Sequence, residues 1–357
     1  GRRISLITSF EQNGKELKVR YGLSYISVVQ AEKNLRGDIS AWDFNEQVSI
    51  ARQKWNSTLS RITVEGATED QKSVFYTSLY RCFERMIDIT EDGRYYSIWN
   101  NSVQTAYDTA FYTDDWVWDT YLALHPLQVI LNPERQDEKI TSYIRMARQS
   151  GWMPTFPTVT GDNHAMNGNH STAVILDAWN KGIRNFDLGE AYDHLKKTIL
   201  CETKLPWVKD SATLLDEFYD RNGYFPALRK GEQESCPKVH SFEKRQAVAV
   251  TLASSYDDWC MAQIAQELGK EDDYRFFTAR SLNYRNLFNK ETGFYHPKDS
   301  TGQWIEPFDY RFDGGMGARD YYDENNGWTY IWQPYHAFSD LIEMMGGTEK
   351  FDSKLDQ

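Results

Sequence analysis

The chain has 357 residues, and its 40 basic against 52 acidic side chains give a net charge of −12. That balance argues against a nucleic-acid groove or an anionic membrane surface, both of which need basic patches. No apolar run approaches the roughly 20 residues of a membrane span. Aromatic residues make up 15% of the chain, 12 of them Trp. Such an excess suits a pocket where indole faces stack on sugar rings, although a core built on aromatics answers it as well.

In chain order, residues 4–27 read as β. Two alternating runs, Ile4 to Phe10 and Leu17 to Tyr25, flank a polar turn holding Asn13-Gly14, a good hairpin signal. A lone hairpin is marginally stable, so this one needs a partner sheet. Beyond about residue 44 the period becomes helical. Val48, Ala51, Trp55, Leu59 and Ile62 share one stripe, and Phe75, Leu79, Cys82 and Met86 another. Asn132-Pro133 opens a helix that Gly151 stops. Further helical stretches are expected at about 171–182, 188–201, 243–268, 271–288 and 334–345. Pro334 sits in the first turn of the last, and Gly346-Gly347 ends it. The expected organisation is a β remnant, a linker and a mainly helical domain of helix pairs.

Three acidic-aromatic clusters could carry chemistry. They are Asp114 to Tyr121 (with Trp116, Trp118 and Asp119), Tyr256-Asp257-Asp258-Trp259, and the loop Gly314 to Trp332 that ends near His336. Carboxylates beside indoles suit glycoside hydrolysis, which needs one carboxyl kept protonated and another to activate water. Each cluster also has a plain reading. Asp115 and Asp119 could cap a helix starting at Thr120, Asp257 and Asp258 could be solvated, and Glu324 could cap a segment starting at Trp328. Phosphate-loop, dinucleotide, nucleophile-elbow and zinc-helix motifs are absent from the sequence. Four cysteines show neither metal-site spacing nor a CxxC pair.

Taken in order, Trp118-Asp119-Thr120-Tyr121, Leu124-His125-Pro126, Gly151-Trp152-Met153-Pro154, Met166 to Ser171, Tyr256 to Trp259 and Glu324 to Trp332 resemble glycoside hydrolase family 92. The resemblance implies an (α/α)6-barrel type catalytic domain, incomplete here, preceded by a short β segment. Residues 1–28 would end a β-sandwich domain, 29–70 would be a helical linker, and 71–357 the barrel without its C-terminal part. The implied activity is that of an exo-acting, inverting α-mannosidase, often α-1,2-specific, assisted by calcium (Ca2+) and acting on mannose-containing glycans. Glu324 matches the family's Glu-Gly-Asn-x-Trp motif and would be the general acid. Trp118 and Asp119 would contact the terminal mannose, while Asn326, Trp328 and His336 would shape the pocket.

The family's segments carrying the catalytic base and much of the substrate and metal site are expected beyond position 357, so the calcium ligands are not identified, and the chain alone could be inactive. No signal peptide is read at Gly1, and the family resemblance implies a secreted, periplasmic or cell-surface protein. Departures from the family pattern include Leu122, Asn169, Ala253, Asn325, Gly327 and Ala337. They fall in the neighbourhood that sets linkage preference. The alternatives are a non-catalytic glycan-binding protein and another (α/α)6 glycosidase, such as an α-glucosidase or trehalase-like enzyme.

Overall fold

A computed structural model describes residues 7–9, 17–107, 109–311 and 319–357. The chain forms two compact units, residues 1–76 and 77–357.

In the first unit, α1 (Val28–Asp38) starts where the Ser27 hydroxyl accepts the Gln30 N–H, and α2 (Phe44–Leu59) starts where Asp43 accepts those of Asn45 and Glu46. These are ordinary N-caps, each satisfying orphan amides of a first turn. A third helix, α3 (Glu69–Arg81), begins in this unit. The two helices fill most of the stretch expected to be helical linker. Among the described residues 7–9 and 17–27 no strand is present, so the expected β pairing is not formed there. The Asn13-Gly14 turn and Ile4 lie outside the described residues. Residues 17–25 instead run beside α1, where Asn34 Nδ2 donates to the Leu23 carbonyl at 2.9 Å. Gly22 permits that approach, because a Cβ there would meet the Ala31 carbonyl at 2.2 Å.

The second unit carries four small two-stranded antiparallel sheets, three of them hairpins, and eleven α-helices among its described residues. Strands β1 (Ile87–Asp88) and β4 (Tyr112–Thr113) pair, as do β2 (Arg94–Ser97) and β3 (Ser102–Thr105). A four-residue turn of helix, α4 (Val117–Thr120), leads to α5 (Leu124–Leu131) and α6 (Pro133–Ser150). Gly151, with φ 88°, closes α6 in the left-handed conformation that only glycine adopts cheaply. The hairpin β5 (Pro157–Thr158) and β6 (Gly161–Asp162) follows, then α7 (Ser171–Asn180), α8 (Leu188–Cys201) and α9 (Leu214–Asn222). The long α10 (Ala247–Glu267) and α11 (Glu271–Arg280) come next. The hairpin β7 (Phe288–Asn289) and β8 (Phe294–Tyr295), then α12 (Gly327–Tyr330), α13 (Phe338–Met345) and α14 (Thr348–Leu355) complete the unit.

Two hydrophobic clusters fill this unit, and α10 belongs to both. Cys260, Met261, Ala262, Ile264 and Ala265 from its C-terminal half pack with α6, α7 and α8. Val248, Ala249, Val250 and Leu252 from its N-terminal half pack with Tyr219, Phe225, Tyr284, Tyr295 and Leu341. Between them lies a buried polar belt of Ser254, Ser255, Asp257 and Asp258. From Ala247 to Ala265 most of α10 is buried, polar belt included, as suits a helix enclosed by its neighbours.

Element ends differ from expectation, most at three places; α2, α3 and α7 also stop short of their expected stripes, at Leu59, Arg81 and Asn180. The helix expected from 243 begins at Ala247, because Gln246 is left-handed at φ 47°. The stretch expected as one helix over 271–288 breaks after Arg280 and continues as a 3-10 turn, Asn283–Leu287. The last expected helix starts at Phe338 rather than near Pro334, and α14 follows the Gly346-Gly347 stop.

Candidate active site

Asp119 is carried on α4, whose start is held from below by Asp115. The Asp115 side chain is fully buried, with Oδ1 accepting from the Thr120 hydroxyl at 2.9 Å. Oδ2 lies 2.7 Å from His125 Nε2 and accepts from the Tyr143 hydroxyl. His125 Nδ1 lies 2.9 Å from Gln136 Nε2 and 3.3 Å from its Oε1, and Nε2, facing a carboxylate, donates to Asp115. Burial works against this charge, yet His125, Tyr143 and Thr120 together hold the carboxyl below its ordinary range. The result is a knot joining α4, α5 and α6 beneath Trp118 and Asp119.

Glu324 arrives from a different part of the chain. The N-terminus of α10 grips the loop before it, where the amides of Gln246, Ala247 and Val248 donate to the carbonyls of Arg319 (3.1 Å), Asp320 (3.2 Å) and Tyr321 (2.9 Å). The Tyr322 hydroxyl donates to the Tyr295 carbonyl at 2.6 Å, and that of Tyr330 to the Asp323 carbonyl at 2.9 Å. Glu324 then turns outward at φ 53°.

Asp119 and Glu324 lie within electrostatic reach of each other. Burial raises Asp119 above its ordinary range, and the charges of Glu324 and Asp115 add to the rise while Arg85 opposes it. Arg85 lies 3.1 Å from Asp114 and places its guanidinium 3.6 Å from the centre of the Trp116 ring, which stacks on Phe156. On the Glu324 side, Arg319 Nη2 donates to Oε1 at 3.2 Å. Asn167 Nδ2 donates to Asp323 Oδ2 at 3.0 Å and to Gln246 Oε1 at 3.2 Å, tying the 163–170 loop to both. Gly168 keeps that loop possible, since at φ +80° a Cβ would also sit 2.6 Å from the His170 ring.

Asp114, His164, Met166, Trp207, Gln246 and Glu324 are all left-handed without being glycine. Such conformations persist where surrounding contacts over-determine them, and they concentrate at functional sites. The loops that carry them are linked in pairs. The Asp115 amide donates to the Pro157 carbonyl (2.8 Å), and that of Trp207 to the His164 carbonyl (2.9 Å).

The remaining candidates sit differently. Asn326 caps α12, its Oδ1 accepting the Trp328 N–H at 3.0 Å. Trp328 packs edge-on against Phe294 at 4.9 Å and beneath the Lys354 ammonium. His336 is stacked with Tyr256 and Trp259, and its Nε2 donates to the Ser281 carbonyl at 3.0 Å. Burial pushes its imidazole down to about 4. Asp257 and Asp258 are buried rather than solvated. Asp257 accepts the Asn169 N–H (2.6 Å) at the start of α7 and lies 2.8 Å from His170 Nδ1, while Asp258 pairs with Arg280 at 3.0 Å.

Arg85, Asn167, Glu243, Arg319 and Asp323 were not singled out from the sequence. The one available signal was adjacency, with Asp323 beside Glu324 and Arg319 four residues before Asp323. Among the described residues no group of three or more His, Cys, Asp or Glu side chains could hold a metal ion.

Helices packed on two hydrophobic clusters, with Asp119 on a short helix and Glu324 on a loop, fit an (α/α)-barrel type catalytic domain. The model of the glycosyl hydrolase family 92 catalytic domain matches residues 30–357. The chain belongs to that family. A family 92 inverting mannosidase from Bacteroides thetaiotaomicron is 32% identical with a TM-score of 0.80, over 93% of this chain and 42% of that one. A family 92 α-mannosidase from the same organism is 28% identical with a TM-score of 0.77, over 93% and 41%. A curated relative from Arthroderma benhamiae, described as an uncharacterised secreted glycosidase, is 26% identical over 366 residues, 95% of this chain and 41% of its own length. The chain thus spans about two fifths of the length of the relatives it matches.

Proposed function

We propose that this chain is the acid-bearing part of an exo-acting α-mannosidase that removes terminal α-linked mannose, α-1,2 by preference, with inversion. What supports this reading is the family 92 match over residues 30–357, with Asp119 and Glu324, from segments about 200 residues apart, within electrostatic reach of each other. In this reading Glu324 protonates the departing glycosidic oxygen, which lets the C1–O bond break without expelling an alkoxide. Asp119 and Trp118 hold the terminal mannose. Asn326, Trp328 and His336 act from behind, by capping and packing the segments beside Glu324.

An inverting reaction also needs a base on the opposite face of the ring, the two carboxyls lying about 6.5–9.5 Å apart to admit a water. We assign none of this chain's carboxylates to that base, and the calcium ligands stay unassigned. Secretion, or display at the periplasm or cell surface, follows from the same reading. No described helix is long and apolar enough to cross a membrane.

The test is mannose release from α-1,2-, α-1,3- and α-1,6-mannobiose by the full-length protein, with calcium and with EDTA. Calcium-dependent release, fastest on the α-1,2 linkage, is the expected result. Glu324→Gln should cut turnover of mannobiose by about 10²–10⁴-fold and spare activated aryl mannosides, whose leaving groups need no proton. Equal losses on both substrates would remove Glu324 from the acid role. Mannose binding without turnover would leave a glycan-binding protein in place of an enzyme.

A further inference from the structure

The segment before α10 puts an aromatic ring close to Glu324. Phe242 is 60% exposed, and the Arg319 guanidinium carbon lies 5.2 Å from the centre of its ring. Arg319 Nη2 in turn donates to Glu324 Oε1 at 3.2 Å. One side chain therefore links the ring to the carboxyl read as the acid.

A single exposed ring is ordinary on a protein surface, but this one is held in place. His240 Nδ1 accepts the amides of Phe242 (3.3 Å) and Glu243 (3.1 Å). Glu243 Oε2 lies 2.8 Å from Arg319 Nη1. Arg245 is buried and clasps Glu234 through Nε and Nη2 at 2.7 and 2.6 Å. Lys244, between these two anchors, is left-handed at φ 57°, a conformation that persists where contacts on both sides impose it. A ring fixed in advance loses little freedom when a ligand settles on it.

A cavity of about 500 Å³ adjoins the same segment, lined by Lys244 and Arg245 and by Asp320 and Tyr321 of the loop that carries Glu324. Its volume falls in the range of roughly 300–1,000 Å³ usual for ligand pockets. Glu232 and Glu234 also line it, so cations and carboxylates share its wall. Such a wall offers donors and acceptors together, which suits the hydroxyls of a neutral sugar better than a phosphate or an apolar group.

We propose that Phe242 and this cavity bind the leaving-group side of the glycan. The ring carries the sugar whose oxygen Glu324 protonates, its C–H face packed on the aromatic face, and the cavity takes the sugar after it. This placement rests on the mannosidase reading, because the departing sugar must lie against the acid. Its consequence is a preference for three linked mannoses over two.

The experiment compares α-1,2-mannotriose, α-1,2-mannobiose and α-mannosyl fluoride as substrates of the full-length protein. The fluoride has no sugar on its leaving side. Phe242→Ala should lower the kcat/KM ratio of mannobiose to fluoride about 3–10-fold, and Phe242→Tyr, which keeps the ring, should restore it. Lys244→Ala should lower the ratio of mannotriose to mannobiose. Calorimetry on Glu324→Gln reads the same site without turnover. Affinity should rise from mannose to mannobiose to mannotriose, and adding Phe242→Ala should remove the first step. A ratio unmoved by Phe242→Ala, or lowered and not restored in Phe242→Tyr, would overturn the proposal. Turnover with no gain in affinity beyond mannose would also overturn it and leave the mannosidase reading standing. A stepwise gain in affinity without turnover of any substrate would support the sugar site and reject the acid role.

Discussion

Asp115 accepts hydrogen bonds from His125, Thr120 and Tyr143 and is held low, whereas Glu202 is buried with neither carboxyl oxygen hydrogen-bonded. His164 Nδ1 lies 3.7 Å from Glu202 Oε1, and burial holds that imidazole below its ordinary range. Burial pushes Glu202 up to about 8, against Lys209 and with help from Asp162. A carboxyl raised in the folded state favours folding while it is protonated. Its contribution is whole below the unfolded value near 4.5 and is lost as pH rises through about 8. The advantage of Glu202→Gln over the parent should therefore grow by roughly 1.4 kcal/mol per pH unit across that window. Urea unfolding at a mildly acidic and a mildly alkaline pH reads this directly, and a constant difference between the two proteins would refute it. Nothing in the sequence around Cys201-Glu202-Thr203 marks this glutamate, because its isolation is created by the fold.

At the scale of elements, legibility follows how local the cause is. Both ends of α8 were readable as 188–201, since Asp187 caps it, accepting the Glu190 N–H at 2.9 Å, and its apolar positions face one way. The start of α10 was not readable. Its capping partners are the carbonyls of Arg319, Asp320 and Tyr321, more than seventy residues later, so no local signal exists. The hairpin expected at 4–27 shows the converse, a strong local pattern with no pairing in the described part of the segment. Since α10 is enclosed on every side, it should tolerate extra volume poorly. Ala262→Leu, at a position with 0% exposure, should destabilise by about 1–3 kcal/mol in denaturant unfolding. A neutral effect would mean that the first cluster is looser than its burial indicates.

At the scale of the whole molecule, the helical class was legible from the change of hydrophobic period, and the family from the order of its motifs. The site was legible in part. Asp119 and Glu324 stand out as acids beside tryptophans, and the Glu324 charge adds to the rise of the Asp119 carboxyl. Their supports were hidden, because Arg85, Asn167 and Glu243 gain significance only through contacts that bridge distant segments. The motif around Trp328 and His336 likewise gave residue types without directions, and both rings prove to be packed among other side chains.

The sharing of α10 between two hydrophobic clusters bears on how the molecule opens. Neither cluster can come apart without unmaking one half of that helix, and the buried Asp257 and Asp258 belt would be exposed from either side. Amides in the middle of α10 should thus exchange with deuterium only through global unfolding, while those of α1 and α2 exchange through smaller openings. A substitution deep in either cluster should then speed exchange along the entire helix. Protection confined to one half would instead divide the second unit into two separately folding parts.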